Sequence, residues 1–312
     1  MDILKFFSSN ISQNIEAYLQ GQAEDKINLL EEIRIRSNRP IILKFNDEEK
    51  FIDYQITIED ILETLQIICE NSIYSYQNQI CNGYITIKGG HRVGISGNCV
   101  IEKNKVVNIN YISSLNFRIA RQVIGCSNRI LKYVLKQEEN NIYNTIIISP
   151  PGAGKTTILR DLIRNISNGI NKLNFRGMNI GLVDERGEIA GIYKGIAQND
   201  IGFRTDVLDN IPKAIGMKML IRSMAPEVIV ADEIGSTEDI EAINTAVCSG
   251  IKGIFTAHGA SLDEISVNPC LKSLLSSHIF ERIIFLDEKG KRGQVSKVYL
   301  LNKKNDEYLI ME

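Results

Sequence analysis

Gly152, Gly154, Lys155 and Thr156 stand directly behind an apolar β-branched run, in the order Ile146-Ile147-Ile148-Ser149-Pro150-Pro151-Gly152-Ala153-Gly154-Lys155-Thr156-Thr157. These residue types at this spacing suit phosphate binding. Small residues let backbone N–H groups turn onto phosphate oxygens, and a helix opening at Lys155 adds its positive dipole end. In such a loop Ser149, Pro150, Pro151, Gly152, Ala153, Gly154 and Thr157 frame the phosphates. Lys155 reaches the β- and γ-phosphates, and the Thr156 hydroxyl ligates Mg2+. Ser149 replaces the usual first glycine, and the two prolines pre-set the path of the loop. A glycine-rich turn before an ordinary helix would look similar in isolation. A second motif argues against that: Val228-Ile229-Val230-Ala231-Asp232-Glu233 is an apolar strand ending in two acids. Asp232 can orient Mg2+ through a water, and Glu233 can polarise an attacking water. The pair of motifs points to a nucleotide with Mg2+ and to its hydrolysis.

Two more groups of side chains follow expected strands, where open α/β sheets bind ligands. Gly181-Leu182-Val183-Asp184-Glu185-Arg186-Gly187-Glu188 sets three carboxylates and one guanidinium just past a strand expected beside the P-loop strand. Asp184, Glu185 and Glu188 would otherwise be a solvated loop with a local Arg186 ion pair, which contributes little. Thr256-Ala257-His258-Gly259 follows another strand. His258 could donate to a γ-phosphate and so distinguish ATP from ADP; packing at a strand end is the plainer alternative. P-loop enzymes that work as rings often draw a cation from a neighbouring domain or subunit to balance transition-state charge. Arg118, Arg121, Arg204 and Arg222 are the candidates, each with a structural role as the alternative.

The chain has 312 residues, enough for two domains, with 44% hydrophobic and 24% charged residues. That is the composition of a water-exposed globular chain with a sizeable core. A formal net charge of −2 gives no global reason to expect nucleic-acid binding. Six cysteines lack any C-x-x-C spacing and there are three histidines, so neither a disulfide framework nor a zinc site is expected. No apolar run reaches the length of about 18 residues that spans a bilayer, and the N-terminus does not fit a signal peptide. The expected location is the side of the membrane that holds ATP.

Helical periodicity covers residues 10–32, and alternation marks strands at 32–36 and 40–45. Thr57 is placed to cap a helix, residues 83–97 read as a hairpin about Gly89-Gly90, and alternation over 106–121 suggests another hairpin. These make an α+β N-terminal domain, residues 1–140, with a hinge expected at 137–143 beside the polar Gln137-Glu138-Glu139-Asn140-Asn141. Residues 141–312 alternate strand and helix, with strands at 144–149, 179–184, 227–232 and 252–257. That is the pattern of a three-layer, RecA-like P-loop NTPase core. A terminal hairpin, 281–286 with 295–300, would carry a basic tip of Lys289, Lys291 and Arg292.

Taken in order, the P-loop, Val183-Asp184-Glu185-Arg186, Phe203-Arg204-Thr205-Asp206-Val207-Leu208-Asp209, Pro226-Glu227-Val228-Ile229, Asp232-Glu233-Ile234-Gly235 and Thr256-Ala257-His258-Gly259 resemble the stage III sporulation protein AA family. The N-terminal segment from Gly83 to Gly97 is similar to it as well, so the likeness covers roughly residues 30–300. That family is related to the hexameric ATPases of type II, type IV pilus and type IV secretion machines. The resemblance implies that Asp184, Glu185 and Glu188 form an aspartate box and that Thr256 and His258 form a histidine box. The preference for adenine over guanine, and so for ATP, rests only on this resemblance. It also implies a homo-oligomer, expected as a hexameric ring, on the mother-cell cytoplasmic face of the membrane around the forespore. There it would dock on a membrane platform protein and power assembly of, or transport through, the sporulation channel. Here the chain has Ala231-Asp232-Glu233 where secretion ATPases commonly end this strand in Gly-Glu, and it lacks the four-cysteine motif of some type II members. The motifs also leave room for a nucleic-acid-stimulated ATPase and for a nucleotide-gated scaffold with little turnover.

Overall fold

A computed structural model describes residues 2–46, 48–287 and 293–311. The chain forms two compact units, residues 1–121 with 193–198, and residues 122–192 with 199–312. The basic tip expected at Lys289, Lys291 and Arg292 lies outside the described residues.

In the first unit, α1 (Ser9–Leu19) and α2 (Ile58–Ile68) accompany strands β1 (Leu30–Arg36), β2 (Ile41–Phe45), β3 (Glu48–Ile52), β4 (Tyr84–Thr86), β5 (Arg92–Glu102) and β6 (Lys105–Arg118). The strands form one sheet in the order β3-β2-β1-β6-β5-β4, with every pairing antiparallel. One face is apolar. Ile33, Ile35, Leu43, Val93, Leu115 and Phe117 are buried there with Ile11, Ile15, Ile61 and Leu65 of the two helices. The expected helix over 10–32 breaks after Leu19, at Gln20 and Gly21, and Leu30 starts a strand that sends Leu30, Ile33 and Ile35 into this core, with a register shift between Leu30 and Glu32. Thr57 does cap α2, in a capping box with Asp60. The alternation over 106–121 belongs to one 14-residue strand, the return arm of a hairpin with β5 across Lys103-Asn104, and this strand also pairs with β1. Such alternation gives period and face but not partner.

The second unit carries α3 (Asn128–Val134), α4 (Lys155–Asn168), α5 (Lys213–Ser223) and α6 (Thr237–Cys248). Its strands are β7 (Thr145–Ser149), β8 (Ile180–Asp184), β9 (Thr205–Asp209), β10 (Val228–Ala231), β11 (Lys252–His258), β12 (Arg282–Leu286), β13 (Val295–Asn302) and β14 (Glu307–Ile310). The sheet order is β9-β8-β10-β11-β7-β12-β13-β14. Strands β9 through β12 in that order are parallel, and the last two join antiparallel. All five residues of β7, β8 and β12 are buried, which explains their near-continuous apolar sequences. Ile146, Ile148, Ile229, Ala231 and Phe255 share a core with Met217, Leu220, Ala242, Ile243 and Ala246 of α5 and α6. Ile147, Val230, Ile254 and Ile284, of opposite parity, are buried too, so both faces are covered. This is the parallel P-loop core with a preceding α+β unit that the pattern predicts.

The division between units falls at residue 121, not 140. Residues 122–140 join the core because buried Asp161 of α4 holds them: Ser127 N donates to it at 2.8 Å, Ser127 Oγ at 2.7 Å and Gly125 N at 3.0 Å. The expected hinge at 137–143 therefore lies inside the second unit, where residues 137–139 form a single 3-10 turn.

Glu281, just before β12, ties together the strand ends opposite the phosphate loop. Its carboxylate accepts from Asn144 N at 3.1 Å and pairs with Lys136, Lys252 and Lys303 at 3.3, 3.3 and 3.1 Å. Burial raises its pKa, but the Asn144 N–H and these ammonium groups outweigh it and hold the carboxyl at about 2, against the usual 4.5. The unfolded chain thus binds this proton more readily than the folded one. The resulting stability is present in full above about pH 4.5 and is lost as pH falls toward 2. Glu281→Gln is expected to lose roughly 2–3 kcal/mol at pH 7. In urea unfolding across pH, its deficit should shrink between pH 4.5 and 2; a deficit that stays constant would show that the charge is not what stabilises.

Candidate nucleotide-binding site

The parallel strands β7, β11, β10 and β8 end at one edge of the sheet, and the loops behind them carry the reactive side chains. Behind β7, Gly152 and Gly154 take φ of +79° and +93°, values that only glycine adopts without strain. Among the described residues nothing lies within 4 Å of where a Gly152 Cβ would sit. The backbone there is open to an approaching ligand, and Gly154 leads into the 14-residue helix α4. Gly293 N donates to Ala153 O at 2.9 Å and buttresses the loop from the far side.

Lys155 is buried, and its ammonium donates to Ser149 O at 2.8 Å, Pro150 O at 3.1 Å and Ser149 Oγ at 3.2 Å. It also lies 3.2 Å from His258 Nδ1. Burial pulls its pKa below the usual lysine value, and Asp232 and Glu233 partly restore it. The replaced first glycine is thus part of the lysine's anchorage.

The next turn brings the two acids in. Thr156 Oγ1 donates to Asp232 Oδ2 at 2.7 Å, and Thr256 Oγ1 donates to Asp232 Oδ1. Thr256 Oγ1 in turn accepts from Glu233 N at 2.8 Å. Glu233 sits at φ +52°, a left-handed conformation that costs a non-glycine residue about 1–2 kcal/mol. That turn sends its carboxylate toward His258 Nε2 at 3.0 Å and Arg186 Nη1 at 2.5 Å. An ammonium can only donate, so His258 Nδ1 accepts from Lys155 and its ring proton rests on Nε2, donating to Glu233. One imidazole therefore links the P-loop lysine to the acid.

Behind β8 the three carboxylates separate. Asp184 is buried and accepts from the backbone N–H groups of Glu188 at 2.9 Å, Ile189 at 3.1 Å and Ala190 at 2.8 Å. Burial raises its pKa; those N–H groups oppose the rise and the Asp232 charge adds to it. Arg160 of α4 completes the brace, with Nε to Ile189 O at 2.8 Å and Nη2 to Glu188 O at 2.6 Å. Glu185 pairs with Lys213 at the start of α5. Asp184, Glu185, Arg186, Glu188, Asp232 and Glu233 line one narrow cleft of about 20 Å3.

Strand β8 is not beside the P-loop strand as expected, because β10 and β11 lie between them. The acids still meet since all four strands point the same way and Asp232 and Glu233 occupy the middle. The arginines do not converge within the second unit. Arg204 Nη1 donates to Ser167 O at 3.0 Å, near the end of α4 remote from Lys155. Arg222 is exposed in the last turn of α5, at the end away from Lys213. Arg118 and Arg121 belong to the first unit; Arg121 Nη2 donates to Leu30 O at 2.5 Å, and burial lowers its pKa. Arg160, Asp161, Lys213 and Gly293 were not singled out from the sequence. A detectable signal for the first two is a pair of charges among the apolar residues Ile158, Leu159, Leu162 and Ile163.

The family profile "Sporulation stage III, protein AA" matches residues 3–306. The stage III sporulation protein AA of Bacillus subtilis (strain 168) is 43% identical over 270 residues, covering 86% of each chain. Among solved structures, the ATPase DotB of Legionella pneumophila superposes with a TM-score of 0.58 at 15% identity, over 92% of this chain and 81% of DotB. The pilus retraction motor PilT, solved with bound ADP, gives 0.53 at 17% identity, over 84% of this chain and 76% of PilT. The fold is shared with DotB and PilT, and the chain belongs to the stage III sporulation protein AA family.

Proposed function

We propose that this chain binds Mg2+–ATP at the edge formed by β7, β11, β10 and β8 and hydrolyses it. The observation that carries the proposal is the chain of contacts from Thr156 through Asp232 and Thr256 to Glu233 and His258. It gathers a metal-directing acid, a candidate base and the P-loop lysine around one open glycine loop. The residues fit the metal in kind: a hydroxyl and a carboxylate suit Mg2+, which keeps waters and shares substrate phosphates. Among the described residues no cluster of three or more His, Cys, Asp or Glu could hold a metal, so cation binding would depend on the nucleotide. When bound, Mg2+ would neutralise phosphate charge, with Thr156 and Asp232 as the residues that would hold it.

In this proposal the amides of residues 152–157 and the Lys155 ammonium hold the phosphates. Thr156 and Asp232 orient the metal's shell, and Glu233 aligns water and accepts its proton. His258 and Arg186 set the position of the Glu233 carboxylate. Asp184 and Arg160 fix the 188–190 loop, which leaves Glu185 and Glu188 to face the cleft. Of the first-unit arginines, Arg118 is exposed at the end of β6 and Arg121 is committed to Leu30, so Arg118 is the preferred cation for transition-state charge. The family, the ATPase DotB and the pilus retraction motor PilT support an ATPase, and a ring, with a homohexamer as the expected assembly, is the form in which it would work. Its place would be the mother-cell face of the membrane around the forespore, docked on a membrane platform protein and driving the channel's assembly or transport. Among the described residues no helix is long and apolar enough to cross a membrane, consistent with attachment through a partner.

Equilibrium binding and phosphate release test the reading together. Lys155→Ala should weaken ATP binding by about two orders of magnitude, from losing a desolvated charge-assisted contact; unchanged affinity would remove the P-loop from the account. Glu233→Gln should bind ATP within about threefold of the parent while phosphate release falls about 100-fold or more. Equal release from the two proteins would take the base role from Glu233 and leave a nucleotide-gated scaffold.

A further inference from the structure

The sheet of the first unit has a second face, turned away from its apolar core, and it is strongly basic. Cross-strand registers place Lys44, Glu32, Arg118 and Arg92 in one row, Arg34, Asn116 and Gly94 in the next, and Arg36, Ser114 and Ser96 in the third. With Glu49 of β3 opposite Lys44, five cations and two acids share these rows in a chain whose formal charge is −2. Arg34 is neutralised by Glu32, at 2.8 Å from Nε and 2.7 Å from Nη2. Among the described residues Arg36 has no ion-pair partner. Like charges at strand spacing repel one another unless an anion joins them.

Within that face lies a recess of about 230 Å3, lined by Arg34, Arg36, Gly94, Ser96, Ser114 and Asn116. It exists because Gly94 brings no side chain to the middle row. A Cβ there would meet nothing closer than Asn116 Cβ and O at 3.8 Å, ordinary contact distance, and its φ is not in the left-handed region. Packing of the sheet therefore does not require this glycine.

We propose that this recess binds a small phosphate monoester carrying hydroxyl groups, at a site separate from the P-loop. Arg36, two residues from Arg34 on β1 and so on the same face, presents a planar guanidinium fork that matches phosphate geometry, while the Arg34 fork is held by Glu32. Ser96 and Ser114 add hydroxyls that donate to or accept from the hydroxyl groups of the ligand. The volume is below the roughly 300–1,000 Å3 of pockets for drug-sized ligands, which suits a sugar phosphate. A recess over the sheet face, left where Gly94 has no side chain, favours such a ligand over a flat protein surface.

The test is calorimetric titration of the full chain with glucose 6-phosphate, with glucose as the uncharged parent, in saturating Mg2+–ADP so that the P-loop is filled. The expected result is one equivalent of glucose 6-phosphate bound per chain and no detectable glucose. Arg36→Gln should weaken binding about tenfold or more, and Gly94→Val, which fills the recess, should abolish it. Both variants should keep the parent's ADP affinity and melting temperature. The proposal is overturned if glucose 6-phosphate does not bind, if ADP displaces it, or if both variants bind it as the parent does. It is also overturned if they change only the oligomeric state, which would make the face a contact between copies.

Discussion

Asp232 accepts two hydroxyl protons, one from Thr156 at the start of α4 and one from Thr256 inside β11. A carboxylate on one strand is thereby held between the P-loop helix and the next strand, and each link constrains the others. Thr256 can serve Asp232 only with its hydrogen, which leaves its lone pairs for the Glu233 N–H. Meeting that bond turns the backbone at Glu233 into the left-handed region. The turn in turn aims the Glu233 carboxylate at His258 and Arg186. Local strain of this kind persists where surrounding bonds over-determine it, and it collects at functional sites. A single threonine pair thus sets both the proposed metal ligand and the proposed base.

The support behind this centre is polar and buried, which is costly unless every group is matched. Asp184 satisfies three consecutive backbone N–H groups, and Arg160 satisfies two carbonyls of the same loop. The two charges are close enough that the field of Asp184 offsets part of the desolvation of Arg160. The arrangement ties β8 to the helix that opens at the P-loop, so a displacement of α4 would be felt at Glu185 and Glu188. Asp161, one residue further along α4, performs a parallel task for residues 125–127. Two adjacent buried charged residues, about 100° apart around the helix axis, therefore anchor two different loops against α4.

Much of this was legible in the residues because the chemistry is local. The P-loop needs glycines at left-handed positions directly before a helix, and Gly152 and Gly154 stand there. The four strands 144–149, 179–184, 227–232 and 252–257 match β7, β8, β10 and β11 because burial on both faces leaves continuous apolar runs that end in polar turns. Spatial order is not local. Nothing in Val183-Asp184-Glu185 records that β10 and β11 separate it from β7, nor does the polar stretch at 137–141 reveal that Asp161 has drawn residues 125–127 into the core. The same limit applies to Arg204: an arginine in a polar loop looks available until Ser167 O is seen to hold it. Asp184, grouped by sequence with Glu185 and Glu188, differs from them because its depth at the strand end turns it onto its own backbone.

The central claim is that Thr156 and Asp232 make nucleotide binding depend on Mg2+. The measurement that tests it most directly is ATP affinity with and without Mg2+, for the parent chain and for Asp232→Asn. The account predicts that Mg2+ tightens ATP about tenfold or more in the parent and by less than about twofold in the variant. An equal gain from Mg2+ in both proteins would contradict it, because the metal would then owe nothing to the carboxylate on which the site is built.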